Sequence, residues 1–220
     1  MSIVGIEGNS FSGKSELSRL LSLEGYSIVK EPSYYVDSFP SLPHDWDSAK
    51  KNLLFFSDVE KARSEDALEQ VASGRNVVMD RTLWTYILYE YVLLKRFPEK
   101  PNVFYYSLDL FERLSENEDI VIPNILLCLT PGSDSVLRQR ILQRRPASID
   151  FLNEWETTQL MDSALEEIIG VYGPENSMKI INNETTEHLV SSGKNFLANA
   201  SPKDFKTSEI FEILRNIVEV

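Results

Sequence analysis

Gly8-Asn9-Ser10-Phe11-Ser12-Gly13-Lys14-Ser15 stands between the apolar run Ile3-Val4-Gly5-Ile6 and the segment Glu16-Leu17-Ser18-Arg19-Leu20-Leu21. The octet matches the pattern G-x-x-x-x-G-K-[ST]; the run before it predicts a strand, and the spacing after it predicts a helix. That setting is the one the pattern requires. Glycines let the backbone curl until its N–H groups converge on phosphate oxygens, and the helix amino terminus adds positive potential. On this reading Gly8, Asn9, Ser10, Phe11, Ser12, Gly13, Lys14 and Ser15 hold the phosphates of ATP. Lys14 would reach the β- and γ-phosphates and Ser15 would place its hydroxyl on Mg²⁺.

Working outward, Gly25 ends the first helix, and Tyr26–Val29 predicts a second strand that delivers Lys30-Glu31-Pro32. Residues Pro32 to Pro43 are irregular, with three prolines and interspersed aromatics, as a loop over a pocket would be. Ser48 to Ser73 predicts one long or two short helices, with Asp47 as the cap and Gly74 as the stop. Val77-Val78-Met79 is a third strand, with Asp80 and Arg81 at its carboxyl end. A helix over 84–97, a buried strand over 125–129, helices over 133–145 and 150–169, a strand over 178–181 and a helix over 186–196 follow. Alternation of this kind implies an α/β fold of the P-loop NTPase type, with three layers, a parallel sheet flanked by helices and a helical lid. Residues 1–199 read as the P-loop domain, with the lid at approximately 138–150. Residues 200–220 read as a linker and terminal helix, either part of that domain or an appendage.

The chain has 220 residues, 42% of them hydrophobic, enough for one core. Its 34 acidic and 22 basic residues give a net charge of −12, which disfavours loose binding to nucleic acid or anionic membrane. The lone Cys128 lies in an apolar strand and reads as a core thiol. The opening residues carry no leader pattern and no window is long enough to span a bilayer, so the expectation is a cytoplasmic protein.

Several residues carry chemistry beyond the loop. Asp80, at the ligand-bearing edge of the sheet, can hold Mg²⁺ or its waters. Arg81 can clamp an acceptor phosphate in a bidentate fork. Glu31 can accept a proton from an attacking hydroxyl or orient the acceptor's sugar. Arg138, Arg140, Arg144 and Arg145 concentrate positive charge in an otherwise acidic chain, with Arg140 and Arg144 on one helical face, as a group closing over transferring phosphate requires. Phe55 or Phe56 can stack on a base. A phosphate loop alone does not separate kinases from GTPases or transport ATPases. No Asn-Lys-x-Asp guanine-reading motif is present, which favours a dedicated acceptor pocket.

With these residues in view the chain resembles the thymidylate kinases and their relatives, the deoxynucleoside kinases. The likeness runs through Glu7-Gly8-Asn9, Lys30-Glu31-Pro32, Leu53-Leu54-Phe55-Phe56-Ser57-Asp58, Gly74 to Arg81 and Arg140-Ile141-Leu142-Gln143-Arg144, over about residues 3 to 190. It implies Phe55 at the base-stacking position, a homodimer, and a small nucleotide or nucleoside acceptor. Two departures bear on the acceptor. Asp80-Arg81-Thr82 is nearer the Asp/Glu-Arg-Ser of deoxynucleoside kinases, and Val59 replaces an arginine that reads the base in thymidylate kinases. The expectation is ATP-dependent phosphoryl transfer to a nucleoside monophosphate. A deoxynucleoside 5′-hydroxyl is the alternative acceptor, and a nucleotide-binding switch without an acceptor is the alternative of another class.

Overall fold

The computed structural model describes residues 1–144, 153–183, 186–201 and 206–218. β1 (Ile3–Glu7) is the middle strand of a five-stranded parallel sheet. Its order is β2 (Ser27–Val29), β3 (Val77–Asp80), β1, β4 (Ile125–Thr130), β5 (Ser177–Ile181). Chain order reverses at β1, so the carboxyl ends of β1 and β3 border the crevice where open α/β sheets bind ligands. Every residue of β3 and β4 is buried. Helices cover both faces, which explains why these strands are continuous apolar runs rather than alternating ones.

On one face α1 (Lys14–Leu23) and α7 (Thr186–Asn199) close over Val4, Ile6, Leu17, Leu21, Leu127 and Leu189. On the other, α3 (Leu83–Arg96), α4 (Phe104–Glu116), α6 (Trp155–Tyr172) and α8 (Thr207–Asn216) share the largest core, around Trp84, Ile87, Phe111, Leu165, Ile168 and Phe211. α2 (Trp46–Ala72) packs against β2 and β3, and α5 (Asp134–Arg144) follows β4.

The segment after Pro43 forms one continuous helix, and its cap is Asp45 rather than Asp47. The Asp45 carboxylate accepts from the Ser48 N–H at 2.7 Å, and the Ser48 hydroxyl accepts from the Asp45 N–H at 3.1 Å, closing a capping box. α4 was not among the sequence expectations. Its apolar positions Phe104, Leu108, Phe111 and Leu114 do have helical spacing, but the start lies close behind Pro98 and Pro101 and the N-cap, Val103, has no capping side chain; Asn102, one residue earlier, accepts from the Phe104 N–H at 2.9 Å. The terminal helix belongs to the same core. Ile210, Phe211 and Leu214 of α8 are buried, and Arg215 bridges to Asp109 and Glu112 of α4 at 2.9 and 2.5 Å. Among the described residues no helix is long and apolar enough to cross a membrane.

Candidate active site

The loop from Gly8 to Ser15 joins β1 to α1 and is held from three sides. Gly8 has φ +135°, and a Cβ there would stand 2.0 Å from the Leu129 carbonyl oxygen; at Gly13, φ is +103° and a Cβ would meet Asn182 Nδ2 at 2.4 Å. Only glycine fits either position. Asn9 donates to Thr158 Oγ1 of α6 at 2.5 Å and accepts from the Ser10 N–H at 2.8 Å. Asn182, just beyond β5, donates to the Ser12 carbonyl at 2.7 Å. Arg140 of α5 donates to the carbonyls of Phe11 (3.0 Å) and Asn182 (2.7 Å).

Lys14 is buried inside this loop, its amine donating to the Gly8 and Asn9 carbonyls at 2.8 and 2.7 Å. Burial, then the charge of Arg81, lowers its pKa to about 7, against the pull of Asp80, Glu7 and Glu31. Ser15 opens α1 with its side chain exposed. Asp80 is buried at the end of β3, and its Oδ1 has no hydrogen-bond partner. A buried, unpaired carboxylate oxygen is an expensive feature that a divalent cation or its hydration shell would satisfy. The donor set fits Mg²⁺, which takes one or two protein oxygens and completes its octahedron from phosphates and waters. No cluster of three or more His, Cys, Asp or Glu suited to a metal occurs among the described residues.

Arg81 is the first residue past β3 and adopts φ +67°, left-handed backbone that a side chain bearing a Cβ rarely takes. Two groups hold it there. The buried Arg63 of α2 donates to the carbonyls of Asp80 (2.9 Å) and Arg81 (2.6 Å), to that of Lys30 (3.0 Å), and to Glu60 at 2.5 Å. Buried Glu7 accepts from Thr82 N–H (2.7 Å), Thr82 Oγ1 (2.5 Å) and Thr85 Oγ1 (2.7 Å), fixing the start of α3; burial raises its pKa. Arg81 then lies with its Nε 3.9 Å from Glu31.

Glu31 and Arg81 stand with Asn9 and Ser10 on a cavity of about 440 Å³, a size suited to a small ligand. Its walls include Phe39, Leu42, Leu53, Phe56, Tyr86 and Met161. The aromatic wall belongs to Phe56, stacked on Tyr86 with centroids 5.1 Å apart. Phe55 stands edge-on to Phe56 at 5.5 Å and instead lines a separate open hollow with residues 34–38. Consecutive helical residues point about 100° apart, and here that rotation turns Phe56 to the cavity and Phe55 to the hollow. Arg138 is exposed and pairs along its own helix with Asp134 at 2.7 Å. The Arg144 side chain, Arg145 and the rest of the expected lid to residue 150 lie outside the described residues.

Three residues central to this geometry escaped the sequence reading. Arg63 and Glu60, three apart on a helix, were legible as an ion pair but not as a buried one. Glu90, which also lines the cavity, is the only charged residue in the Leu83–Leu94 stretch of α3, and that isolation was its signal.

No protein-family model matches the chain, and no curated protein matches it by sequence. Solved structures do match. The fold is that of the P-loop kinases. A thymidylate kinase from Candida albicans superimposes with TM-score 0.67 at 14% identity, covering 93% of this chain and 96% of that one. A deoxyadenosine kinase from M. mycoides, solved with dCMP and dCDP, gives TM-score 0.63 at 18% identity over 89% and 98% of the two chains. The same enzyme with bound dATP gives 0.63 at 16% identity, over 89% of this chain and 99% of that one.

Proposed function

We propose that this chain is a kinase that transfers the γ-phosphoryl group of ATP to the 5′-oxygen of a nucleoside. The observation that carries the reading is the Glu31–Arg81 pair at one cavity opening, beside the phosphate loop. A carboxylate there can accept the proton of an attacking 5′-hydroxyl, the step for which a neutral acceptor needs a base. Arg81, kept in place through Arg63, orients Glu31 and the acceptor together. The amides of Gly8 to Ser15 and the Lys14 amine bind the triphosphate, and Arg140 keeps that loop in shape. Ser15 and Asp80 are the residues that would hold Mg²⁺, which neutralises the phosphate charge when bound. Aromatic walls at Phe56 and Tyr86 stack the base and exclude water. Little covalent work falls to the protein, so positioning dominates.

A nucleoside monophosphate is the second reading, favoured by the Arg81 guanidinium, which suits a bidentate contact to an acceptor phosphate. Incubation with γ-labelled ATP, Mg²⁺ and panels of nucleosides and monophosphates decides between them. The proposal expects label on nucleosides and a drop in kcat of at least about a hundredfold in Glu31→Gln, the size of a lost general base. Label on monophosphates alone, with Glu31→Gln fully active, would replace the first reading by the second. Wild-type protein that binds ATP and labels neither would remove both.

A further inference from the structure

Glu90 occupies the acceptor cavity at the end away from the phosphate loop. α2 and α3 leave the sheet edge side by side: Arg63 meets the Arg81 carbonyl and Phe56 stacks on Tyr86. A turn further along, Ala49 and Leu53 of α2 and Glu90 of α3 are all on the cavity wall. From Thr82 to Glu90 is about 12 Å along the helix axis at 1.5 Å per residue, comparable to the length of a nucleoside. An acceptor whose 5′-oxygen lies at Glu31 and Arg81, and whose base lies along Phe56 and Tyr86, therefore brings the edge of the base to Glu90.

The carboxyl group is built to face inward. Its Oε2 accepts from the Val103 N–H at 3.1 Å and from Asn102 Nδ2 at 3.4 Å, contacts that hold the side chain from behind. Both of these contacts go to Oε2, which leaves Oε1 open to water or a ligand in the cavity; as a whole Glu90 is 9% exposed. Among the described residues no basic side chain pairs with it; Lys50 of α2 lies over the rings of Trp46 and Tyr106 at 5.2 and 5.5 Å. A carboxyl group held through one oxygen, with the other facing the cavity, presents a fixed acceptor for a ligand that displaces the water there.

We propose, building on the kinase reading above, that Glu90 selects an acceptor whose base carries an exocyclic amino group, cytosine, adenine or guanine, over thymine or uracil. An amino hydrogen is the natural partner of a carboxylate, as in Glu and Asp contacts to the cytosine amino group. Thymine and uracil instead present carbonyl oxygens on both sides of their single N–H, and a carboxylate is repelled by them. Once the base has displaced water from Oε1, a ligand that brings no donor leaves that oxygen unpaired, and such sites discriminate strongly.

Burial raises the pKa of Glu90 to about 7, so the group is partly neutral at physiological pH. Protonated, Oε1 can donate to a thymine carbonyl or to a ring nitrogen of an amino base; ionised, it accepts only. Selectivity therefore sharpens as pH rises through about 7. The other ionisable groups on the cavity are Glu31 and Arg81 at its opening and the phenols of Tyr86 and Tyr89 on its wall. Asn102 and Val103 beside α4, and Met161 of α6, bring no charge.

The experiment measures kcat/KM for deoxycytidine, deoxyadenosine, deoxyguanosine, thymidine and deoxyuridine, with the matching monophosphates, for wild type and Glu90→Gln at pH 6 and pH 8. Thermal melts check that the variant is folded. The expected result is a wild-type preference of at least tenfold for an amino-bearing base. That preference should be larger at pH 8 and fall at least tenfold in Glu90→Gln, mainly through KM, because the carboxamide can donate to thymine O4. Wild-type protein that prefers thymidine or its monophosphate overturns the proposal without any variant, and so does an unchanged preference in a folded, active Glu90→Gln. Absence of label on every acceptor strikes the kinase reading itself, and the outcomes are thereby separable.

Discussion

The Arg63 guanidinium, fully buried in α2, donates to the carbonyl oxygen of Arg81 at 2.6 Å and so fixes a left-handed residue on the wall of the proposed acceptor cavity. One arginine thus sets the backbone of another. Three carbonyls at the ends of β2 and β3 depend on the same donor, as does the buried carboxylate of Glu60.

Replacing Arg63 by Met leaves Glu60 buried without its cation and the Lys30, Asp80 and Arg81 carbonyls short of a donor. The expected loss is about 3–5 kcal/mol, the usual consequence of removing one partner of a buried pair. Denaturant unfolding checks it. Glu60→Gln, which keeps a hydrogen-bond acceptor for Arg63, should be milder, and a larger loss in that variant would point to Glu60 as the organising group.

Gly8→Ala places a Cβ 2.0 Å from the Leu129 carbonyl, at a φ that alanine does not favour. The loop must leave its position against β4. ATP affinity, measured by calorimetry, is expected to fall at least a hundredfold, while far-ultraviolet circular dichroism keeps the wild-type helix content.

Lys14, with its pKa lowered to about 7 by burial and by Arg81, is partly neutral before nucleotide binds. Phosphate charge beside it favours the ammonium form, so ATP binding near pH 8 should take up a proton. The binding enthalpy will then depend on the ionisation enthalpy of the buffer, and Lys14→Met should abolish that dependence together with phosphoryl transfer.

Stability should vary with pH through Glu90. Its folded pKa of about 7 lies above the ordinary 4.5, so the folded state binds the proton more tightly than the unfolded chain. The stability this group contributes is complete below about pH 4.5 and is lost as pH rises through about 7. The change amounts to about 3 kcal/mol. Glu60, whose pKa is also raised to about 7 by burial, adds a slope of the same sign. Glu90→Gln stays neutral, and its unfolding free energy should fall less steeply between pH 5 and 8 than that of wild type.

Arg140 bridges the Phe11 and Asn182 carbonyls. If it acts by shaping the loop, Arg140→Lys should raise the KM for ATP about as much as Arg140→Ala, because an ammonium lacks the fork that spans two carbonyls. A role in stabilising transferring charge predicts a different pattern, in which lysine rescues kcat and alanine does not.

The loop proposed to hold nucleotide was legible in the chain itself. Strand, glycine loop and helix are contiguous, and the φ values at Gly8 and Gly13 are local demands that only glycine meets easily. The all-parallel sheet was likewise written in β3 and β4, whose unbroken apolar runs suit strands covered on both faces. The acceptor half was not. Which of Phe55 and Phe56 faces the cavity depends on the rotation of α2 against α3, and no spacing within one helix fixes that angle. Arg63 and Glu90 drew no reading from the sequence, since burial is a property of what lies opposite a residue. The sequence by itself determined the glycine loop of the proposed phosphate site, because that chemistry uses neighbouring backbone amides. Only the tertiary structure decided what stands at the far end of the cavity, because those side chains come from helices separated in the chain and meet only through the sheet.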